Sequence, residues 1–336
     1  MTVAQKKILI TGGTGFLGAY IIAQLLAEGN TVKAIRRAGA VWPRFMPPAM
    51  ESQVDWVEGD VLDVLFLQDA MQDVDTVVHS AALVSYAPKD RRRMYSVNIE
   101  GTANVVNAAI EAGVKRMVHV SSVAAIGKKK GVKLKDEDGE WESGGANSHY
   151  AITKYHAEME VWRGFAEGLE GVIVNPATIL GYGDWEKGSC AIFKKVYDGL
   201  KYYTRGVNAF TDVEDVAKAV VALMNSNITE ERFIVCNDNW PFRKLLDTIA
   251  DGFGKPRPEK EASAFMANVA WRLEAIKSAL KGQAPVITKE SAGISQNESY
   301  FDNQKLLKAL PDFHYRPLEE TIKSACGKYL QDIQQH

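Results

Sequence analysis

Short apolar runs alternate with segments of helical spacing along most of the chain. Ile8 to Ile10 make the first run, short and fully apolar as in a strand buried on both faces. Behind it, Phe16, Leu17, Tyr20, Ile21 and Leu25 fall on one helical face. Further strands are expected at Thr31–Ile35, Val54–Asp60, Asp75–Ala82, Arg116–Val120 and Gly171–Gly181, with a late one at Arg232–Cys236. A long helix from Met94 to Val114 places Val97, Gly101, Val105 and Ala108 on one face. Strands alternating with helices predict an α/β protein with a doubly wound parallel sheet.

From Gly183 onward the pattern changes. Trp185, Ile192, Phe193, Val196, Tyr197 and Leu200, followed by Tyr202-Tyr203, suggest an aromatic-rich amphipathic helix. Lys255-Pro256-Arg257-Pro258 breaks the chain, and Met266, Val269, Leu273, Ile276 and Leu280 then form a seam at helical spacing. A last helix runs from near Leu318 to Ile333. The expected organisation is a nucleotide-binding domain over 1–180, completed by about 207–240. A smaller, mostly helical substrate lobe is expected from 181–206 and 241–336.

The first strand runs straight into Thr11-Gly12-Gly13-Thr14-Gly15-Phe16-Leu17-Gly18. A strand, a glycine turn and a helix N-terminus form a pocket for a diphosphate, because backbone N–H groups and the helix dipole both face the anion. About 20 residues past the glycines, an acid would bind the ribose 2′-hydroxyl of NAD, whereas arginine suits the 2′-phosphate of NADP. Arg36 and Arg37 stand there. NADP is therefore favoured, with NAD possible.

Length, charge and cysteine usage narrow the class. The chain has 336 residues, 46% of them hydrophobic and 24% charged, with a formal net charge of −2, which offers no electrostatic case for nucleic acid or an anionic membrane. Cys190, Cys236 and Cys326 are too far apart for a metal-binding pair and read as reduced thiols, so no metal is expected. The first strand begins within about seven residues, leaving no room for a signal peptide. No apolar stretch reaches the roughly 18 residues of a membrane span. The expectation is a soluble, cytoplasmic protein acting on a small molecule.

Two further motifs follow in order. Arg116–Val120 delivers Ser121 and Ser122 at the carboxyl end of its strand, where open α/β sheets bind ligands. His149-Tyr150-Ala151-Ile152-Thr153-Lys154 then places a phenol and an ammonium at i and i+4, on one helix face. A fixed cation beside the phenol, together with a positive nicotinamide ring, would favour the phenolate and bring its pKa of about 10 towards working pH.

The glycine loop, Ser122 and the Tyr150/Lys154 pair resemble the extended branch of the short-chain dehydrogenase/reductase superfamily. That branch includes the NAD-dependent epimerase/dehydratase family and dihydroflavonol-4-reductase-like enzymes. The resemblance implies a Rossmann-type sheet. It makes Ser122 the catalytic hydroxyl, Tyr150 the acid/base and Lys154 its cationic helper and a holder of the nicotinamide ribose. The cofactor would meet Thr11, Gly12, Thr14, Gly15, Phe16, Leu17, Gly18, Arg36, Arg37, Asp60, Val61, Ala81, Ala82, Ser121, Pro176 and Ala177, as well as Tyr150 and Lys154. Asn98, in Asn98-Ile99-Glu100-Gly101-Thr102, holds either a proton relay or a bend of its helix. Val84, Ser122, His149 and Trp185 are the expected substrate contacts.

His79, in an apolar strand, is expected to be a core residue bonded to backbone rather than a catalyst. The segment from Lys128 to Glu142 reads as a flap or as a solvated excursion. Asp215 reads as a helix cap. In the family pattern a homodimer would form through the helices near Met94 and Tyr150.

Two enzyme readings follow. One is an NADP-dependent ketone or aldehyde reductase; the other is a sugar-nucleotide epimerase or dehydratase using bound NAD. Val123-Ala124 follow Ser122 where a dehydratase would carry Asp-Glu. Val207-Asn208-Ala209 precede Phe210 where epimerases often carry Arg, and Asn175 precedes Pro176 where sugar-nucleotide enzymes usually have Arg. These differences favour the reductase. A non-catalytic NADP sensor would be expected to lose the Tyr/Lys pair, which this chain keeps.

Overall fold

The structure, a computed structural model, describes residues 6–127, 131–144, 147–262 and 295–335. In chain order the first half contains β1 (Lys7–Thr11), α1 (Phe16–Ala27), β2 (Thr31–Arg36), β3 (Asp55–Glu58), α2 (Val64–Ala70), β4 (Thr76–His79), α3 (Arg91–Tyr95), α4 (Gly101–Glu111), β5 (Arg116–Val120), β6 (Leu134–Lys135) and α5 (His149–Ala166). Then come β7 (Glu170–Pro176), β8 (Thr178–Leu180), α6 (Ala191–Tyr197), β9 (Tyr202–Tyr203), β10 (Val207–Asp212), α7 (Val213–Asn225), β11 (Glu231–Val235), β12 (Asp238–Pro241), α8 (Phe242–Phe253), β13 (Lys260–Glu261), β14 (Tyr300–Phe301), α9 (Gln304–Ala309) and α10 (Leu318–Gln335).

Seven strands pair in the order β3-β2-β1-β4-β5-β7-β11, every pair parallel. This is the expected Rossmann-type sheet. Alternate residues of each strand feed opposite cores. Ile8 and Ile10 join Ile21, Leu25, Val118, Val172 and Val220 on one face, while Leu9 joins Val77, Met117, Val105, Val161 and Ile173 on the other. Burial on both faces explains why β1, β4 and β5 read as continuous apolar runs. The order reverses between β1 and β4, which opens a crevice at their carboxyl ends. A third cluster, with Phe193, Phe210, Trp240, Ile249, Ile322 and Tyr329, lies beyond the sheet edge.

The boundaries differ from the sequence expectation in four places. The long helix from Met94 is broken: α3 leads into a π-helical turn, Ser96–Glu100, before α4. The sixth strand stops at Pro176, which has no N–H to continue a ladder. Thr178–Leu180 pairs with β10 instead. The α7 cap is Asp212 rather than Asp215, because Asp212 is the last extended residue and its carboxylate accepts from Glu214 N at 2.6 Å. Asp215 lies inside the helix and accepts from Arg316 N at 2.7 Å. Residues 131–144 dock on the sheet rather than making a solvated excursion: β6 pairs with β14, and the Glu137 carboxylate accepts from Ile234 N at 2.8 Å.

The apolar seam at 266–280 lies outside the described residues. Among the described residues, no helix is long and apolar enough to cross a membrane, and no cluster of side chains suits a metal ion. All three cysteines are free and buried.

Candidate functional site

The crevice is built first by glycine. Gly12 has φ +76°, and a Cβ there would lie 2.7 Å from Ala81 N; a Cβ on Gly18 would lie 2.1 Å from Gly12 O. The loop therefore closes onto both β4's exit and the first turn of α1 only without side chains. Gly15 caps α1 with no side-chain hydrogen bond, and no acid occupies the first turn, so this N-terminus suits an incoming anion. Phe16 packs edge-on against Tyr20 and Phe45 and Leu17 is buried in the core. What these two can offer a ligand is backbone N–H. Thr14 is half-buried on the loop between them and Gly12.

His79 sits beneath this loop, fully buried. Its partners are two hydroxyls rather than the expected backbone: Nδ1 meets Thr11 Oγ1 at 2.7 Å and Nε2 meets Thr102 Oγ1 at 3.0 Å. The Thr102 hydroxyl hydrogen goes to Asn98 O at 2.6 Å, so Thr102 accepts from an Nε2–H tautomer. Nδ1 then accepts from Thr11, whose oxygen also accepts from Ala81 N at 3.1 Å. Burial holds the imidazole neutral, down to a pKa of about 3. Ala82, next along the exit of β4, is exposed.

Arg36 ends β2, with its guanidinium 5.4 Å from the Trp56 ring centroid and 3.2 Å from Glu51. Arg37 is exposed beside it. The Asp60 carboxylate accepts from its own loop at Leu62 N, 3.1 Å away. Val61 is buried, and its carbonyl accepts from Asn104 at 3.1 Å. Pro176 and Ala177 are buried at the end of β7, Ala177 among Ile126, Ala209 and Ile234.

Ser122 follows β5, and its Oγ accepts from Ala124 N at 3.1 Å. Ser148 caps α5 by accepting from Ala151 N at 3.0 Å, which starts the helix so that Tyr150 and Lys154 face the sheet. The Ser122 hydroxyl lies beside the Tyr150 hydroxyl. It pulls that pKa down, but burial outweighs it and the net direction is up. The expected pull from Lys154 is not what governs Tyr150 here. The Lys154 side chain is buried, and its Nζ donates to Val120 O at 2.9 Å. Burial lowers its pKa to about 8, against an upward pull from Glu158.

Asn98, in the π-helical turn, is spent on structure. Its Oδ1 accepts from Leu83 N at 2.7 Å, and its Nδ2 donates to Leu83 O and Thr153 Oγ1, each at 3.0 Å. It thus ties the loop after β4 to α5. That loop carries Val84, 57% exposed, and Tyr86, whose ring meets Tyr150 edge-on at 6.1 Å. His149 Nδ1 lies 3.1 Å from the Tyr95 hydroxyl. Trp185 does not join this group through its ring contacts: it stacks on Tyr329 at 5.0 Å and leans on Tyr197 at 5.6 Å, in the core of the lobe.

A glycine loop, a serine hydroxyl beside a tyrosine and a lysine one turn below it converge at the carboxyl ends of β1, β4 and β5. The model of the NAD dependent epimerase/dehydratase family matches residues 8–236. The chain belongs to this family. As a member it is an NAD(P)-dependent enzyme of the extended short-chain dehydrogenase/reductase type. A protein of Synechocystis sp. provisionally named dihydroflavonol 4-reductase is 31% identical over 312 residues, covering 90% of this chain and 88% of its own. The crystal structure of gox2253 superposes with a TM-score of 0.81 at 26% identity, covering 98% of this chain and 99% of its own. The Bordetella bronchiseptica enzyme WbmH, solved with NAD+, shares the fold: TM-score 0.74, 23% identity, 97% and 99% of the two chains.

The family motifs do not include several residues that complete the arrangement. Tyr86 and Tyr95 sit on irregular or short helical segments that carry no pattern of their own. Glu158 was legible in principle, as the next i+4 step after Lys154. Arg232, which pairs with it at 3.3 Å from the far strand β11, was not.

Proposed function

We propose that this enzyme is an NADP(H)-dependent reductase of a ketone or aldehyde carbonyl on a small molecule, and the corresponding alcohol oxidoreductase in reverse. The convergence of Ser122, at the end of β5, with Tyr150 above a buried Lys154 carries this reading. When bound, the nicotinamide supplies or accepts the hydride. The protein's part is to hold the carbonyl oxygen between the Ser122 and Tyr150 hydroxyls. Tyr150 donates its proton to that oxygen in reduction and accepts one in oxidation. Burial keeps Tyr150 protonated in the resting site, the form that reduction consumes. The glycine loop fits the diphosphate, since its helix N-terminus carries neither a side-chain cap nor an acid. Arg36 and the exposed Arg37 fit a 2′-phosphate at the end of β2. Asn98 serves by holding the Leu83 loop and α5 in register around Tyr150, and Val84 and His149 border the substrate.

The sugar-nucleotide reading is weakened at the positions where it needs arginine. Asn208 donates to Thr178 Oγ1 at 2.9 Å, Ala209 is fully buried, and Asn175 is committed inside the protein to Glu158.

The test is NADPH consumption with a panel of ketones and aldehydes, using wild type, Tyr150→Phe and Arg36→Ala. Turnover should fall about 10²–10⁴-fold in Tyr150→Phe. NADPH should bind Arg36→Ala about ten- to a hundredfold more weakly, with NADH little changed. Interconversion of a UDP-sugar, with NAD retained and no net NADPH consumed, would replace this reading by the epimerase.

A further inference from the structure

Lys154 and Glu158 lie one turn apart on the inner face of α5, 2% and 0% exposed. A carboxylate out of reach of water must be matched by donors from the protein. Asn175 Nδ2 donates to Glu158 Oε1 at 2.5 Å, and Arg232 Nη1 pairs with Oε2 at 3.3 Å. Burial pushes the Glu158 carboxyl up on balance, and the Arg232 charge and the Asn175 amide pull the other way. Arg232 is itself fixed by residues 131–144: its Nε donates to Glu137 O at 2.7 Å and its Nη2 to Gly139 O at 3.3 Å.

Among the described residues, the other titratable groups around Lys154 bring it no negative charge. His79 on β4 and His119 on β5 are held neutral by burial, and Tyr150 on α5 is held protonated. Glu137 turns its carboxylate to Ile234 N on β11. Among the described residues, the one hydrogen-bond acceptor at Lys154 Nζ is the neutral carbonyl of Val120. A buried ammonium with only that partner tends to lose its proton. A carboxylate one turn away, in a medium of low dielectric, opposes the loss.

We propose that Glu158, paired with Arg232 and Asn175, is the positioning residue that keeps Lys154 an ammonium beneath Tyr150. The inference rests on the reading that Lys154 serves Tyr150. It gives the Asn175 position a use: an amide there donates to Glu158 while the matching guanidinium comes from β11.

The test reads Lys154 directly. Protein carrying 13Cε-lysine is titrated by NMR, and the Lys154 signal is assigned by its loss in Lys154→Met. In Glu158→Gln the Lys154 titration should move to lower pH by about one unit or more, a tenfold loss of proton affinity. Glu158→Asp should restore most of it. Since Glu158→Gln strands a buried guanidinium, the double variant Glu158→Gln/Arg232→Met removes both charges, and the acid shift must persist in it. The high-pH limb of NADPH-linked turnover should shift in the same direction. An unmoved Lys154 titration in both variants would overturn the proposal. A wild-type enzyme that reduces no carbonyl compound would instead overturn the reductase reading, while the Lys154 titration would still decide the role of Glu158.

Discussion

Replacing His79 by glutamine should change how stability depends on pH, by an amount set by the tautomer argument. The Nε2–H form donates to Thr102, and the bare Nδ1 accepts from Thr11. A proton on Nδ1 would strand the Thr11 hydroxyl hydrogen and put a cation where no acid faces it. The folded-state pKa is accordingly about 3, against about 6.5 in the unfolded chain. The folded pKa is the lower one, so the stabilisation is complete above pH 6.5. It is lost as pH falls, because the unfolded state takes up the proton first. Well below pH 6.5 one such group costs about 1.4 kcal/mol per pH unit, and from pH 7 to pH 4.5 about 2.5 kcal/mol in all. His119, stacked on His79 at 5.2 Å, acts in the same direction. The raised carboxyls Glu137, Glu158 and Asp215 act oppositely. The carboxyls are shared by wild type and variant and cancel in the difference, and so does the leading cause at His119, its burial. Urea unfolding at pH 7 and pH 4.5 measures it. His79→Gln can keep one donor and one acceptor in place, so it should fold at pH 7 with reduced stability. Its further loss on going to pH 4.5 should be smaller than the wild type's by about 2.5 kcal/mol. Equal losses would refute both the neutral tautomer and the buried-histidine account.

Gly18→Ala should abolish nicotinamide cofactor binding in a fluorescence titration and lower the thermal midpoint, because its Cβ would sit 2.1 Å from the Gly12 carbonyl oxygen, a backbone atom that cannot rotate away; retained binding would show that the loop can open freely. Trp185→Ala should lower stability by about 2–3 kcal/mol in denaturant unfolding, since it removes a half-buried ring stacked on Tyr329. The KM for a reduced carbonyl should stay within about twofold, and a large KM rise with intact stability would return Trp185 to the substrate.

The placement of Ser122, Tyr150 and Lys154 was legible because it is tied to local rules. A serine at a strand's carboxyl end and an i, i+4 pair on a helix point where the backbone sends them. His79 was read rightly as core and wrongly as backbone-bonded, because its partners, Thr11 and Thr102, come from elements 68 and 23 residues away. The role of Trp185 was left open by the sequence for the opposite reason. An aromatic residue in an amphipathic run looks the same whether it faces a ligand or another ring, and only the fold supplies Tyr329, from the last helix.

What the linear sequence determined by itself is the set of features with short-range causes. These are the apolar period of strands buried on both faces, the glycines that let β1 turn into α1, and the Tyr–Lys spacing. What only the tertiary structure decided is how charge is balanced. Glu158 becomes tolerable in the interior because β7 and β11 bring Asn175 and Arg232 to it, and residues 131–144 hold Arg232 in place. Electrostatic pairing in a medium of low dielectric acts through space. Residues 17 and 74 positions apart leave no periodicity in the chain to reveal it.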